Sequence, residues 1–259
     1  MKRKPRNGLK NLSGLCNMKK IILLTLLVST VVFAAPKNAP KNADEEAAPA
    51  MTEMKDPRDD RVYKTVTIDG KVWMAENLKF VAPLSFCYED RPTLCKTYGR
   101  MYPWISAMNI DEKFKSESFG KKLKKNHQGI CPTSWHLPTS EEWESLAKAV
   151  GAVKDTCNEA GLCSWKGAAK PLMAVKGWET AAGEAVEGTD SIGFNAVAGG
   201  SRDMLSTYEN KGVLGMFWSV DEVEGDALNA YRWVIGNDYL YFDSAYKSDA
   251  YSVRCVRNY

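Results

Sequence analysis

The sequence predicts a disulfide-stapled α+β domain. Three observations lead there: apolar segments of strand length divided by turn residues, two short stretches with helical spacing, and six cysteines downstream of an export signal. The size agrees with one domain plus appendages, since 259 residues at 44% apolar content can bury one sizeable core. A charged fraction of 26% speaks against a membrane-embedded protein.

In chain order, the first stretch is basic: Lys2, Arg3, Lys4, Arg6, Lys10, Lys19 and Lys20 occur with no acid among them. Met18-Lys19-Lys20 then leads into the apolar run "IILLTLLVSTVVF" (21–33), which is too short to span a bilayer. Residues 18–34 read as a secretion signal peptide, with Val32 and Ala34 at the small-residue positions of a cleavage site and a mature start near Ala35. Residues 1–17 read as an N-terminal extension ahead of a start at Met18, because they would push the apolar core of the signal unusually far inward. A lipid anchor would need a cysteine directly after the apolar run, and Cys16 precedes it. The expected location is the periplasm, the cell surface or the medium, with no transmembrane anchor after signal removal. Without the seven N-terminal cations, the 35 basic residues fall to 28 against 32 acidic ones, a net of about −4. Such a chain has no electrostatic footprint for nucleic acid. Residues 35–56, "APKNAPKNADEEAAPAMTEMKD", contain no aromatic residue and too little apolar surface to order themselves. A disordered linker is expected there, with the folded domain covering 57–259.

Export changes how the cysteines are read, because thiols pair and persist in an oxidising compartment. Cys87 and Cys95 ("CYEDRPTLC") bound one short polar loop and Cys157 and Cys163 ("CNEAGLC") another, which leaves Cys131 for Cys255. In the chain-entropy model the small loops contribute about 2–3 kcal/mol each and the long one about 5 kcal/mol. No spacing is CxxC and the chain holds 2 histidines, so neither thiol redox chemistry nor a zinc cluster is expected.

"RVYKTVTIDGKVWMAENL" (61–78) sets Val62, Val66, Ile68 and Val72 around Asp69-Gly70, the pattern of a β-hairpin with a type I′ turn. In "YPWISAMN" (102–109), Pro103 opens a short core helix with Trp104, Ile105 and Met108 along one face. Lysine dominates "EKFKSESFGKKLKKNHQG" (112–129), which reads as a solvated surface insertion rather than a polyanion site. Thr139 and Glu142 are spaced for a capping box over a second helix, which turns Trp143, Leu146, Ala147 and Val150 to one face and ends at Gly151. With Glu142 committed to the cap and no histidine partner implied, acid/base catalysis is not expected of it. His136, between Trp135 and Leu137, reads as a hydrogen-bonded core histidine.

"DPRDDRVYKTVTIDGKVWMAENL", "YGRMYPWISAMN", "CPTSWHLPTSEEWESL", "GTDSIGFNAVAGG", "MFWSVDE" and "SVRCVR" follow one another in an order that resembles the Fibrobacter succinogenes major paralogous domain, over about residues 56–257. "HLPTSEEWE" and the later "SVRCVR" are also similar to "RLPTEAEWE" and "GFRCVR" of sulfatase-modifying-factor domains. The resemblance implies a C-type-lectin-like fold. Two helices, near 103–110 and 140–150, would pack on small, twisted antiparallel sheets joined by long loops. The terminal strand carrying Cys255 would lie near the start of the second helix.

The remaining β segments are 193–203, 215–220, 227–236, 238–246 and 251–256. Tyr239 and Tyr241 alternate with Leu240 and Phe242, so one set can face outward. An outward tyrosine pair beside Asn237 and Asp243 can stack on a sugar ring while the polar groups take its hydroxyls. With Trp233 these residues form the candidate ligand-binding set. Asp221, Glu222, Glu224 and Asp226 offer hard oxygens to a calcium ion, although a solvated turn is the simpler reading, and no cofactor is expected. The expected function is a non-catalytic recognition module that binds extracellular polysaccharide or a cell-surface protein through loops between about 200 and 250. The motifs by which calcium-dependent lectins hold sugar, Glu-Pro-Asn, Gln-Pro-Asp and Trp-Asn-Asp, do not occur. A structural or interaction protein of the cell envelope is the alternative. A formylglycine-generating-type oxidase would need a reactive cysteine pair near the end of the fold, where only Cys255 stands.

Overall fold

The computed structural model describes residues 51–155, 157–158 and 161–259. Its first strand lies where a linker was expected: β1 (Met51–Lys55) pairs antiparallel with β2 (Val62–Ile68) along its whole length. Composition misled here because the strand completes its hydrogen bonds on the open edge of β2. The Thr52 and Thr65 hydroxyls meet at 2.6 Å, and Met54 packs on the core. Asp56 is fully buried and accepts from the backbone and guanidinium of Arg58, so the ordered domain includes 51–56. The expected signal peptide, the N-terminal extension and the rest of the expected linker lie outside the described residues.

The hairpin forms as predicted. Asp69 and Gly70, at φ 47° and 71°, supply the two left-handed positions of a type I′ turn into β3 (Lys71–Met74). The chain continues through α1 (Pro92–Tyr98), β4 (Met101–Pro103), α2 (Trp104–Met108), β5 (Trp135–His136) and α3 (Ser140–Ala149). Next come β6 (Val153–Lys154), β7 (Ser164–Lys166), α4 (Ala169–Leu172), β8 (Trp178–Glu179) and β9 (Ala185–Val186). The last elements are β10 (Ser201–Arg202), β11 (Tyr208–Glu209), β12 (Gly215–Glu222), β13 (Asn229–Gly236), β14 (Tyr239–Tyr246), β15 (Ala250–Ser252) and β16 (Val256–Arg257). One sheet runs β1-β2-β3-β16-β5; the larger runs β11-β10-β15-β12-β13-β14-β7-β6, with β4 on β15. Pairing in both is antiparallel except between β12 and β15, so the class is α+β with few helices.

The central strands β12, β13 and β14 are eight residues long and longer than small sheets imply. They are apolar on both faces. Met216, Trp218, Val220 and Val234 join the core that takes Trp104, Ile105 and Met108 from α2. Phe217, Trp233, Ile235 and Leu240 join the core that takes Trp143, Leu146 and Ala147 from α3. A sheet covered on both sides has no polar face to show, which is why "MFW" (216–218) reads as an unbroken apolar run with buried Ser219 after it.

Local rules account for α3. Thr139 Oγ1 accepts from the Glu142 amide at 3.2 Å and Glu142 Oε2 accepts from the Thr139 amide at 3.0 Å, the reciprocal capping box. At the other end Gly151, at φ 70°, donates to Lys148 O, and Ala152 donates to Ala147 O, closing a Schellman motif. Two helices were not foreseen, the one-turn α4 and α1, which opens on Pro92 at its first position and carries Cys95, so the loop read as polar turns is helical.

All three expected bridges are present, Cys87–Cys95, Cys131–Cys255 and Cys157–Cys163. Two buried cations complete the frame. Arg254 donates to Asn77 Oδ1 at 2.8 Å, Met74 O at 3.0 Å, Asn195 O at 2.9 Å and Phe194 O, and complete burial pulls its pKa down to about 9. Lys247 donates to Phe114 O and Glu117 O and pairs with Glu222. Among the described residues no helix is long and apolar enough to cross a membrane.

Candidate functional site

The C-terminal candidates do not form one open platform. Trp233 is fully buried, stacked on Phe242 at 5.1 Å and on Trp143 at 6.0 Å, which removes it from the ligand-binding set. Alternation along a strand does not say whether the sheet is covered on both sides. Tyr241 is half-buried against the α2-side core, and burial raises its hydroxyl pKa. Asp243 is engaged by Arg232, whose Nε and Nη2 reach its two oxygens at 2.6 and 3.0 Å. Asn237 and Asp238, at φ 51° and 70°, turn β13 into β14, with Asn237 exposed and Tyr239 half-exposed beside it.

The proposed calcium oxygens are likewise committed or dispersed. Asp221 Oδ2 accepts the Ser140 amide at 2.6 Å, at the first turn of α3. Glu222 takes the Phe119 and Gly120 amides, the Ser118 hydroxyl and Lys247. Its burial favours the neutral acid, but Lys247 and those amides outweigh it and hold the carboxyl below its ordinary range. Asp226 accepts from Leu228 N and Asn229 Nδ2, while Glu224 is exposed in the turn. Among the described residues no group of three His, Cys, Asp or Glu side chains is placed to hold a metal ion.

His136 is buried, as expected, but it has a carboxylate partner that sequence reasoning missed. Its Nε2 lies 3.1 Å from both Glu142 oxygens and its Nδ1 lies 2.6 Å from Asn258 Oδ1. Burial pushes the Glu142 carboxyl up, yet the bonds from His136 and the Thr139 amide more than offset this and lower its pKa. The partner arrives through tertiary pairing, since β16 lies against β5 with Val256 opposite His136 and brings Asn258 in. Cap and imidazole lock each other.

Beside them opens a concavity of about 550 Å³. One wall is the start of α3, with Thr139, Glu141, Glu142 and Ser145; the other is the end of the lysine-rich insertion, with Lys124, Lys125, Asn126 and His127. Leu123 from the insertion, Lys71 from the start of β3 and Val220 from β12 complete the lining. Both walls are fixed: Ser145 Oγ donates to Asp69 Oδ2 at 2.9 Å, and His127 Nε2 bonds Met108 O at 2.8 Å. Ammonium groups, carboxylates and an amide thus face one another across a cleft of small-ligand size. Four separate chain segments supply these residues, and no spacing signals them.

No curated protein and no solved structure matches the chain. A family model, the Fibrobacter succinogenes major domain, matches residues 66–257. That match covers the hairpin turn and β3, all three bridges, both walls of the cleft and the terminal strand, and the chain therefore belongs to the Fibrobacter succinogenes major domain family.

Proposed function

We propose that this chain is an exported, non-catalytic recognition module that binds a hydroxyl-rich extracellular ligand, a polysaccharide, in the cleft between α3 and the 123–127 segment. One observation carries the reading: the cleft sets lysine, amide and imidazole groups on one wall against threonine, serine and glutamate groups on the other, while Glu142 and the buried His136 beside it are committed to holding a helix end. Preorganised polar groups bind hydroxyls without ordering cost at the moment of contact. The fold supports a C-type-lectin-like assignment, because β16 closes a sheet with β3 and lies beside β5, just before α3. Three bridges fit an oxidising compartment. Cys255, bridged and fully buried, has no free thiol for oxidase chemistry.

A glycan array of plant and bacterial polysaccharides, probed with the disulfide-intact protein, tests this. Binding should weaken at least about tenfold in Lys125→Glu and Glu141→Ala with no change in unfolding midpoint, as expected for loss of charge-assisted hydrogen bonds. Tyr239→Ala, run in parallel, reports on the C-terminal strand: loss there alone moves the site to that strand. Silence across the whole array sinks the reading in favour of a structural envelope protein.

A further inference from the structure

We propose that a second pocket, beside the Cys87–Cys95 bridge, is an anion site for one carboxylate, sulfate or phosphate group of an extracellular ligand. The pocket holds about 390 Å³ and is lined by Arg61, Lys79, Lys96 and Arg100, with Pro92 and the two bridged cysteines between them. Four cations line it and no acid does. Two are answered from outside: Lys79 Nζ lies 3.0 Å from Glu76, and Arg61 Nη1 lies 3.5 Å from Asp59. Lys96 and Arg100 pair with no carboxylate among the described residues, so two positive charges stay uncompensated in one concavity.

Arg100 is the anchor. Its Nε donates to Ser85 Oγ at 2.9 Å and its Nη2 to Ser85 O at 2.6 Å, which fixes the plane of the guanidinium. Among the described residues its Nη1 meets only the sulfurs of Cys87 and Cys95, at 3.5 and 3.6 Å. Divalent sulfur is a weak acceptor, so that edge remains available to an oxyanion, for which a planar donor fork is well matched. The bridge and Pro92 stand between the cations, and an apolar wall concentrates the field of the charges around it. A merely solvated surface cation has no such fixed plane. The pocket shares no residue with the α3 cleft, and its anion chemistry does not require the cleft to bind carbohydrate.

The test is titration of the ¹⁵N-labelled, disulfide-intact protein at low ionic strength with sodium sulfate, with trigalacturonate, and with neutral xylotriose. Sulfate and trigalacturonate should shift amides around 95–100 saturably, and xylotriose should not. Tighter binding of trigalacturonate than of sulfate assigns the site to an acidic saccharide; equal or weaker binding assigns it to the free ion. Lys96→Glu, on an exposed helix position, should weaken both at least about tenfold while leaving the melting temperature unchanged. Arg100→Lys, which keeps the charge and loses the fork, should weaken them further than Lys79→Ala does. Shifts that never saturate, or sulfate binding unchanged in Lys96→Glu, overturn the proposal.

Discussion

The central sheet and the lysine-rich insertion reach order by opposite means. In β12–β14 the stabilising contacts are spread over many side chains, with Trp165, Trp233 and Phe242 in mutual contact at 5.1 to 6.2 Å. In the insertion Phe114 and Phe119 go inward, packed edge to face at 5.0 Å, with Leu123 half-buried against the same core, while Lys113, Lys115, Lys121, Lys122, Lys124 and Lys125 stay exposed. Its backbone is held from beneath by one buried ion pair: Lys247 takes the Phe114 and Glu117 carbonyls, and Glu222 takes the Phe119 and Gly120 amides. Packing distributes stability, whereas a polar anchor concentrates it. A charged surface segment therefore becomes a rigid wall for a cleft without a hydrophobic core of its own.

The sharpest break of this comparison is Trp233→Ala, expected to cost about 3–5 kcal/mol because it empties a cavity between two packed elements. The denaturant midpoint should fall globally. A small loss accompanied by lost ligand binding would return Trp233 to the ligand-binding set. Lys247→Met should cost about 3 kcal/mol by leaving Glu222 buried without its cation. Hydrogen exchange is the informative measurement: amides of 112–123 should open before those of β12–β14, and uniform acceleration across both would erase the distinction. Thr139→Ala should cost about 1 kcal/mol, the value of a helix N-cap, read from the same midpoint.

Glu142→Gln sharpens the electrostatic side. The Glu142 carboxyl titrates below its ordinary value in the folded protein, so the ionised form is bound more tightly by the fold than by the unfolded chain. That stabilisation is complete above the unfolded carboxyl value of about 4.3 and is lost as pH falls through the folded one. The variant should be less stable than the wild type at pH 7, with the gap closing below about pH 4. A gap that stays constant down to pH 3 would show that the carboxylate gains nothing from His136.

Legibility followed the range of each interaction. The capping box needs only Thr139 and Glu142 three positions apart, and the type I′ turn needs only Asp69-Gly70, so both were visible along the chain. The bridges were visible because cysteine is rare and two of the pairs are short. β1 was missed because its stability comes from the edge of β2, and a composition test sees no partner. α1 was missed because the residues between Cys87 and Cys95 suit turns and a short helix equally. The cleft was illegible, since Lys71, Asn126, Glu141 and Val220 carry no shared pattern, and Asn258 meets His136 only across β16.

By itself the chain determined the cysteine pairing, the hairpin and the capped helix, because each rests on residues near in sequence or on a scarce side chain. Tertiary structure alone decided which aromatic residues are buried and which carboxylates are spent. It also decided where walls face one another across open space. Those outcomes depend on what covers each face of a strand, and side-chain alternation within a strand carries no information about its neighbours.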